Sequence, residues 1–390
     1  MPLSPRGLLR ERLPHAEARV ANVELFFDLV FAFTITQVSH ALLHHLDLAG
    51  ALRTGLLFLA VWWVWIYTAW VTNFLDADRT PVRLMLFLLM LAGLVLSMAL
   101  PEAFAERGLA FAAAYAFMQV GRGAFTVWAI GPAEPALRRN FLRVLAWLAL
   151  AAPFWVAGGL AEGEARLLLW VLALGIEYAS PFAYFWTPGL GRSTTADWRV
   201  EGGHMAERCA GFILIALGET LLVTGESFAG LAWDGPHGTA FVIAFLGSVA
   251  MWWLYFHLGQ ERGAHHITRS ADPGRMARLG YTYLHLPVVA GIVVAAAGDE
   301  MVLQHPGGIA APAAIHCIIG GPALYLLGLA LFKRISLGQL PLSHLVGLAL
   351  LAVLATLAHE MPVLALAGLA NAALILVAAW EHVSLRGHAA

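Results

Sequence analysis

Carboxylates and guanidinium groups set inside long apolar runs are the residues of this chain best placed to do chemistry. A charged side chain at the centre of a membrane helix costs about 2.5–3.5 kcal/mol on insertion scales, so such groups face the protein interior and mark ion or proton pathways. The first run reads Glu24-Leu-Phe-Phe-Asp28 and continues to Gln37 and His40. At about 100° per residue, Glu24 and Asp28 share one helical face near one end. Gln37 and His40 lie on roughly the opposite face, further along, and Gln37 is expected to bond between helices. Arg122, in the fourth run, lies at a depth comparable to Asp28, and an Asp28–Arg122 ion pair is expected.

The seventh run opens His204-Met-Ala-Glu207-Arg208 and carries Glu219 and Glu226. Spacings of 11 and 7 residues put Arg208, Glu219 and Glu226 on one helical stripe. Gly211, Gly218 and Gly225 form a neighbouring ridge, expected to admit another helix at close range. Glu219 sits near mid-membrane with no basic residue close by on its own helix, which makes it the leading proton carrier, with a protonated structural hydrogen-bond donor as the alternative reading. Glu177, in the sixth run, is expected at similar depth, facing the same cavity. His257, Tyr281, Tyr283 and His285 form a candidate relay, because histidine exchanges protons near neutral pH.

Other chemistries are absent from the sequence. No tight His/Cys/Asp spacing argues for a metal, and His265-His266 reads as a solvated loop. The single lysine, Lys333, follows no glycine-rich phosphate loop, and no Gly-x-Ser-x-Gly elbow occurs. Cys209 and Cys317 both fall in apolar runs and read as buried thiols. No cofactor is implied.

The elements that must position these groups are long helices. The chain has 390 residues, 60% hydrophobic and 12% charged, with net charge −2; its mean hydropathy is +0.74. Soluble domains carry about 25% charged residues, so lipid is the natural solvent and the bilayer the first partner. With no clustered basic residues, nucleic acid is excluded as a partner. Runs of roughly 20 apolar residues predict an all-α, polytopic transmembrane helix bundle of about twelve spans: 25–45, 51–74, 82–101, 108–130, 141–160, 166–187, 207–229, 239–258, 279–298, 309–332, 341–358 and 362–384. With the N-terminus inside, inner segments hold nineteen of the 23 basic residues. The outer loops keep Arg53, Arg107 and Arg166, and Arg122 lies within a span. That is the positive-inside bias, and it puts both termini in the cytoplasm.

The expected organisation is a cytoplasmic tail (1–24), a six-helix half (25–187), a cytoplasmic linker (188–206) and a second six-helix half (207–390). Trp62-Trp63 and Trp252-Trp253, each in the second span of its half, suggest a parallel repeat. The dense Trp62, Trp63, Trp65 and Trp70 are expected to serve tight helix packing.

Several of these blocks resemble the bacterial low temperature requirement protein A family. They are Glu24-Leu-Phe-Phe-Asp28-Leu-Val-Phe31, His204-Met-Ala-Glu207-Arg208 with Leu217-Gly218-Glu219, Trp252-Trp253-Leu-Tyr-Phe256, and Tyr283-Leu-His285-Leu-Pro-Val-Val-Ala-Gly291. His257 stands where the family often has an acid. The resemblance implies a polytopic protein of the bacterial inner membrane; the family name records a growth phenotype in the cold and supplies no molecular activity. A shorter likeness, at Phe27–Ala32, is to the Phe-Ser-Asp signature of a potassium-channel family built from six-helix units, with Phe27 at the serine position.

The favoured functional reading is a secondary transporter, coupled to protons through Glu219 and the Asp28 region and acting on a small solute or ion that the sequence does not specify. The alternatives are an ion channel of two six-helix units, a membrane enzyme acting on lipid, and a non-catalytic scaffold. Enzymatic activity is the less favoured class.

Overall fold

The computed structural model describes residues 7–11, 19–194, 198, 200–257 and 273–389. The His265-His266 loop and Arg6, Arg12, Arg199, Arg262 and Arg269 lie outside the described residues. Within them the chain forms twelve long helices and no strand: α1 (Asn22–His44), α2 (Leu48–Phe74), α3 (Thr80–Ala99), α4 (Gly108–Ile130), α5 (Pro135–Leu160), α6 (Gly163–Ala179), α7 (Gly202–Ala229), α8 (Gly235–Phe256), α9 (His285–Gln304), α10 (Pro312–Leu337), α11 (Leu342–Leu357) and α12 (Val363–Ala389). Ten are long and apolar enough to cross a bilayer. The other two are α4, which carries Gln119 and Arg122 near its centre, and α6, which has 17 residues. The protein is a polytopic helical membrane bundle.

Helix starts follow the sequence. Proline occupies the first turn of α3, α5, α8 and α10, where a missing N–H leaves nothing unpaired. Asp234 caps α8 by accepting from His237 N at 3.0 Å. That backbone bond holds the Asp234 carboxyl below its ordinary range. Gly338, at φ 76°, ends α10 in the left-handed conformation.

The sixth span is shorter than expected. It stops at Ala179 rather than near residue 187, although the intervening residues are apolar. Pro181 has no N–H to extend the ladder, and the Ser180 hydroxyl donates to Glu177 O at 2.7 Å. Tyr184 and Phe185 then take positive φ, 52° and 50°, and the chain turns back on itself through paired Thr187–Gly191 bonds. The ninth span is entered through a π-helical stretch, Arg278–Leu284.

The described chain divides into two compact units. The first comprises Met1–Ala41, Ala49–Arg208 and Ser270–Ala277, and the second Leu42–Leu48, Cys209–Arg269 and Arg278–Ala390. In the first, α4 packs between α3 and α5, and α6 against α5. Every residue of α2 from Ala60 to Phe74 is buried, as expected for a helix apolar all round. The tryptophans of α2 pack within the protein: Trp62 lies against Trp65, and Trp63 stacks on Tyr178 with centroids 3.9 Å apart.

In the second unit α9 and α10 form an extensive hairpin. Its backbones meet at glycines. A Cβ on Gly291 would lie 2.5 Å from Tyr325 N, and one on Gly321 would lie 2.5 Å from Ala295 N. The glycine ridge expected on α7 plays no such part. A Cβ on Gly211, Gly218 or Gly225 meets nothing within 4 Å among the described residues, so close approach is built into α9 and α10 instead. Gly291→Ala and Gly321→Ala should each destabilise the protein by about 1–3 kcal/mol through overpacking. Gly218→Ala should not; thermal unfolding of the three variants in detergent checks the difference.

Candidate functional site

The first unit gathers its charges where α1, α2 and the start of α7 meet. Glu24 and Asp28, one turn apart on α1, are both buried, as are His204 and Arg208 on α7. Arg208 donates from NH2 to Asp28 Oδ1 at 2.9 Å, and its Nε lies 4.0 Å from Glu24 Oε1. Trp65 of α2 donates its indole N–H to the same Asp28 oxygen at 2.8 Å and presents its ring to the guanidinium, 5.7 Å from the centroid. Glu24 Oε2 accepts from Ala21 N at 2.9 Å and pairs with Arg10 at 3.4 Å.

Arg10 comes from the segment read as a cytoplasmic tail. That segment is fastened to the end of α2: Arg10 N donates to Phe74 O and Asp76 N donates to Leu8 O, both at 2.9 Å. The Arg10 side chain also donates to Thr72 O at 3.0 Å and Arg19 O at 3.1 Å. Two guanidinium groups thus face two carboxylates.

The histidine of this network has one consistent tautomer. Glu201 N donates to Asn73 Oδ1 at 3.1 Å, which orients the amide and points Asn73 Nδ2 at His204 Nδ1, 3.2 Å away. Nδ1 must therefore accept, so the proton of a neutral ring sits on Nε2 and is donated to Glu24 Oε1 at 2.9 Å. The 3.2 Å approach of Arg10 NH2 to Nε2 is then a contact between two donors sharing one carboxylate.

Arg122 does not pair with Asp28. It donates from NH1 to Val64 O and Thr68 Oγ1, both at 3.0 Å, and from NH2 to Gln119 Oε1. The cause is α2: Trp65 takes one face of that helix to Asp28, and Val64 and Thr68 take another to Arg122. Glu177 belongs to this second network. Its Oε1 accepts from Trp155 at 3.0 Å, and its Oε2 from Tyr115 and, at 3.2 Å, from Gln119. The Gln119 amide thus bridges Arg122 and Glu177, accepting from the cation and donating to the anion.

In the second unit His285 donates from Nδ1 to Gly280 O at 2.8 Å and accepts from the Tyr255 hydroxyl at 2.9 Å. His257 does not join it. Two residues beyond Tyr255, it projects from another side of α8, is exposed, and meets His382 at 2.9 Å. Glu219 is buried, and beside it Thr220 and Ser248 share a bond of 2.7 Å. Glu226, on the same helical stripe, is exposed because it lies in the last turn of α7. Glu207 is exposed and accepts from Val20 N at 3.1 Å. Gln37 and His40 are half-buried. Among the described residues no group of three His, Cys, Asp or Glu side chains could hold a metal.

The sequence reading gave Arg10, Asn73, Tyr115, Gln119 and Trp155 no part in these networks, and gave Trp65 to helix packing alone. Two carried a usable signal: Asn73 is an isolated amide in an apolar run, and Gln119 stands three residues before Arg122, on the same helical face.

Fold and networks together define a polytopic membrane protein organised around buried, paired charges. The family model for the bacterial low temperature requirement A protein (LtrA) matches residues 19–379, and the chain belongs to that family. It is also 42% identical, over 373 residues, to the uncharacterized protein RA0937 of Rhizobium meliloti (strain 1021), covering 95% of this chain and 90% of that protein. No solved structure matches it.

Breaking a buried ion pair by removing one partner costs about 3–5 kcal/mol. Arg208→Gln, which leaves Asp28 and Glu24 facing each other without a cation between them, should lose stability on that scale. Asp28→Asn keeps an acceptor for Trp65 and should cost less. The Asp28→Asn/Arg208→Gln double variant should be more stable than the sum of the single losses implies, read from unfolding in detergent.

Proposed function

We propose that this protein is a proton-coupled secondary transporter of a small solute or ion, seated in the bacterial inner membrane with both termini in the cytoplasm. One observation carries the reading: Arg208 stands between two carboxylates with bonding capacity to spare. Asp28 Oδ2 and the Arg208 Nε and NH1 atoms are buried and hydrogen-bond to nothing among the described residues. A proton arriving at Oδ2 neutralises Asp28, loosens its hold on Arg208 and leaves Glu24 as the remaining carboxylate partner. Loss of the proton restores the first arrangement. A guanidinium with two alternative partners is the kind of bistable element that a transport cycle can bias.

Glu219, buried midway along α7, is the second proton position in this proposal. The concentration of basic residues on one side supports the orientation. The two six-helix halves, 25–187 and 207–390, are part of the same reading, as moving bodies of an alternating-access cycle.

Purified protein in liposomes with a trapped pH dye should show proton movement that depends on one solute from a broad screen. Asp28→Asn and Glu219→Gln should abolish that movement, while Glu226→Gln, at an exposed position, should retain it. Proton flux indifferent to every solute, or full coupling in Asp28→Asn, would rule the proposal out. A sustained current in a planar bilayer, far above carrier turnover, would point to a channel instead.

A further inference from the structure

The apolar stretch after α6, which looks like the end of a membrane span, is a folded loop with an unusual surface. Helix α6 has 17 residues, which gives a rise of roughly 25 Å, short of the ~30 Å hydrocarbon core. The residues that would complete a span of that length fold into the loop instead. Phe182, Tyr184 and Trp186 are 63%, 40% and 51% exposed, whereas Phe185 between them is buried, with its ring 5.9 Å from Trp198. The positive φ of Tyr184 and Phe185 produces this division, turning one aromatic inward and its neighbours out.

The loop is held rigidly against α5. Arg143, itself buried, donates from Nε and NH2 to Leu190 O at 2.9 and 2.6 Å. Trp147 donates to Trp186 O at 3.0 Å, Ser193 Oγ bonds Asn140 Oδ1, and Ser193 N donates to Tyr184 O at 2.8 Å. The Ser193–Asn140 bond places Arg192, next to Ser193, near the first turns of α5, which carry Arg138 and Arg139. All three arginines are exposed. Across residues 131–143 and 180–194 the sequence has one acid, Glu134, so the patch is cationic.

We propose that this loop and the start of α5 form a binding site for an anionic phospholipid. Phe182, Tyr184 and Trp186 would enter the boundary between headgroup and acyl chain, and Arg138, Arg139 and Arg192 would pair with the phosphate. Amphipathic aromatic rings prefer that depth, and guanidinium groups are suited to bidentate contact with phosphate oxygens. The site is independent of the transport reading and stands whichever leaflet it faces.

The test uses the full chain in detergent, with phosphatidylglycerol or phosphatidylcholine added in mixed micelles. Bound lipid is counted by native mass spectrometry and stabilisation by thermal unfolding. Phosphatidylglycerol should be retained in preference and should raise the melting temperature more. Each arginine removed should weaken that preference by roughly fivefold, so Arg138→Gln/Arg139→Gln/Arg192→Gln should nearly abolish it, while the corresponding triple lysine variant keeps most of it. Trp186→Ala should weaken retention of both lipids. Equal binding of the two lipids by the native chain would overturn the proposal, as would an unchanged preference in the triple glutamine variant. Full displacement of the lipid by inorganic phosphate would overturn it too, by showing a simple anion site.

Discussion

Charge removed from water must find opposite charge or dense hydrogen bonding, and in a protein this apolar that requirement governs how the helices of the first unit are arranged. Taking an ion out of water costs several kcal/mol even after the protein relaxes, far more than one extra methyl contact returns. Helix α2 is where the requirement is met on two sides. Its Trp65 N–H reaches Asp28, and its Val64 carbonyl and Thr68 hydroxyl receive Arg122. A helix with almost no charge of its own therefore keeps two charged networks apart and supplies neutral partners to both. That explains why its tryptophans are inside: Trp65 combines a large apolar body with one polar N–H where Asp28 needs a donor.

The first network is balanced as well as paired. Arg10 and Arg208 offset Glu24 and Asp28, provided His204 stays neutral. The orientation of Asn73, fixed by the Glu201 backbone N–H, enforces this. An imidazolium would turn its Nδ1–H toward the Asn73 NH₂ group, so a second proton on His204 requires the amide to rotate and give up its bond from Glu201. The neutral amide thus defends the charge state of a cluster of ions. Gln119 acts comparably between Arg122 and Glu177, transmitting attraction across a distance that the charged side chains do not span.

Much of this was legible in the sequence, and the rest was not for definite reasons. The helices followed from runs of apolar residues, and Glu24 and Asp28 on one face followed from a four-residue spacing. The identity of their cation did not. Depth along a span says nothing about which helix lies between two others, and α2 stands between Asp28 and Arg122. Arg10 escaped because a short polar segment before the first span looks solvated unless its backbone is seen bonded to Leu75's neighbours. The α7 glycines misled because small residues permit close packing without requiring it. At Gly291 and Gly321 the facing backbone makes it obligatory. The end of α6 failed for another reason: hydropathy reports apolar composition, and a folded loop can be as apolar as a helix.

The two networks of the first unit also differ in how fully their carboxylates are bonded. Glu177 receives donors on both oxygens, from Trp155 on one and from Tyr115 and Gln119 on the other. A carboxylate so completely satisfied has little to gain from a new partner, and its natural role is to join α4, α5 and α6. Asp28 takes both of its donors on one oxygen, and among the described residues its other oxygen is buried and unbonded, beside a guanidinium that is also incompletely used. Leaving such atoms unsatisfied costs about 1–3 kcal/mol each, and more when they are charged. A cluster serving only to fasten helices would be expected to close that deficit, as the Glu177 network does. That deficit, beside an arginine with two carboxylates within reach, is the feature on which the transport proposal rests.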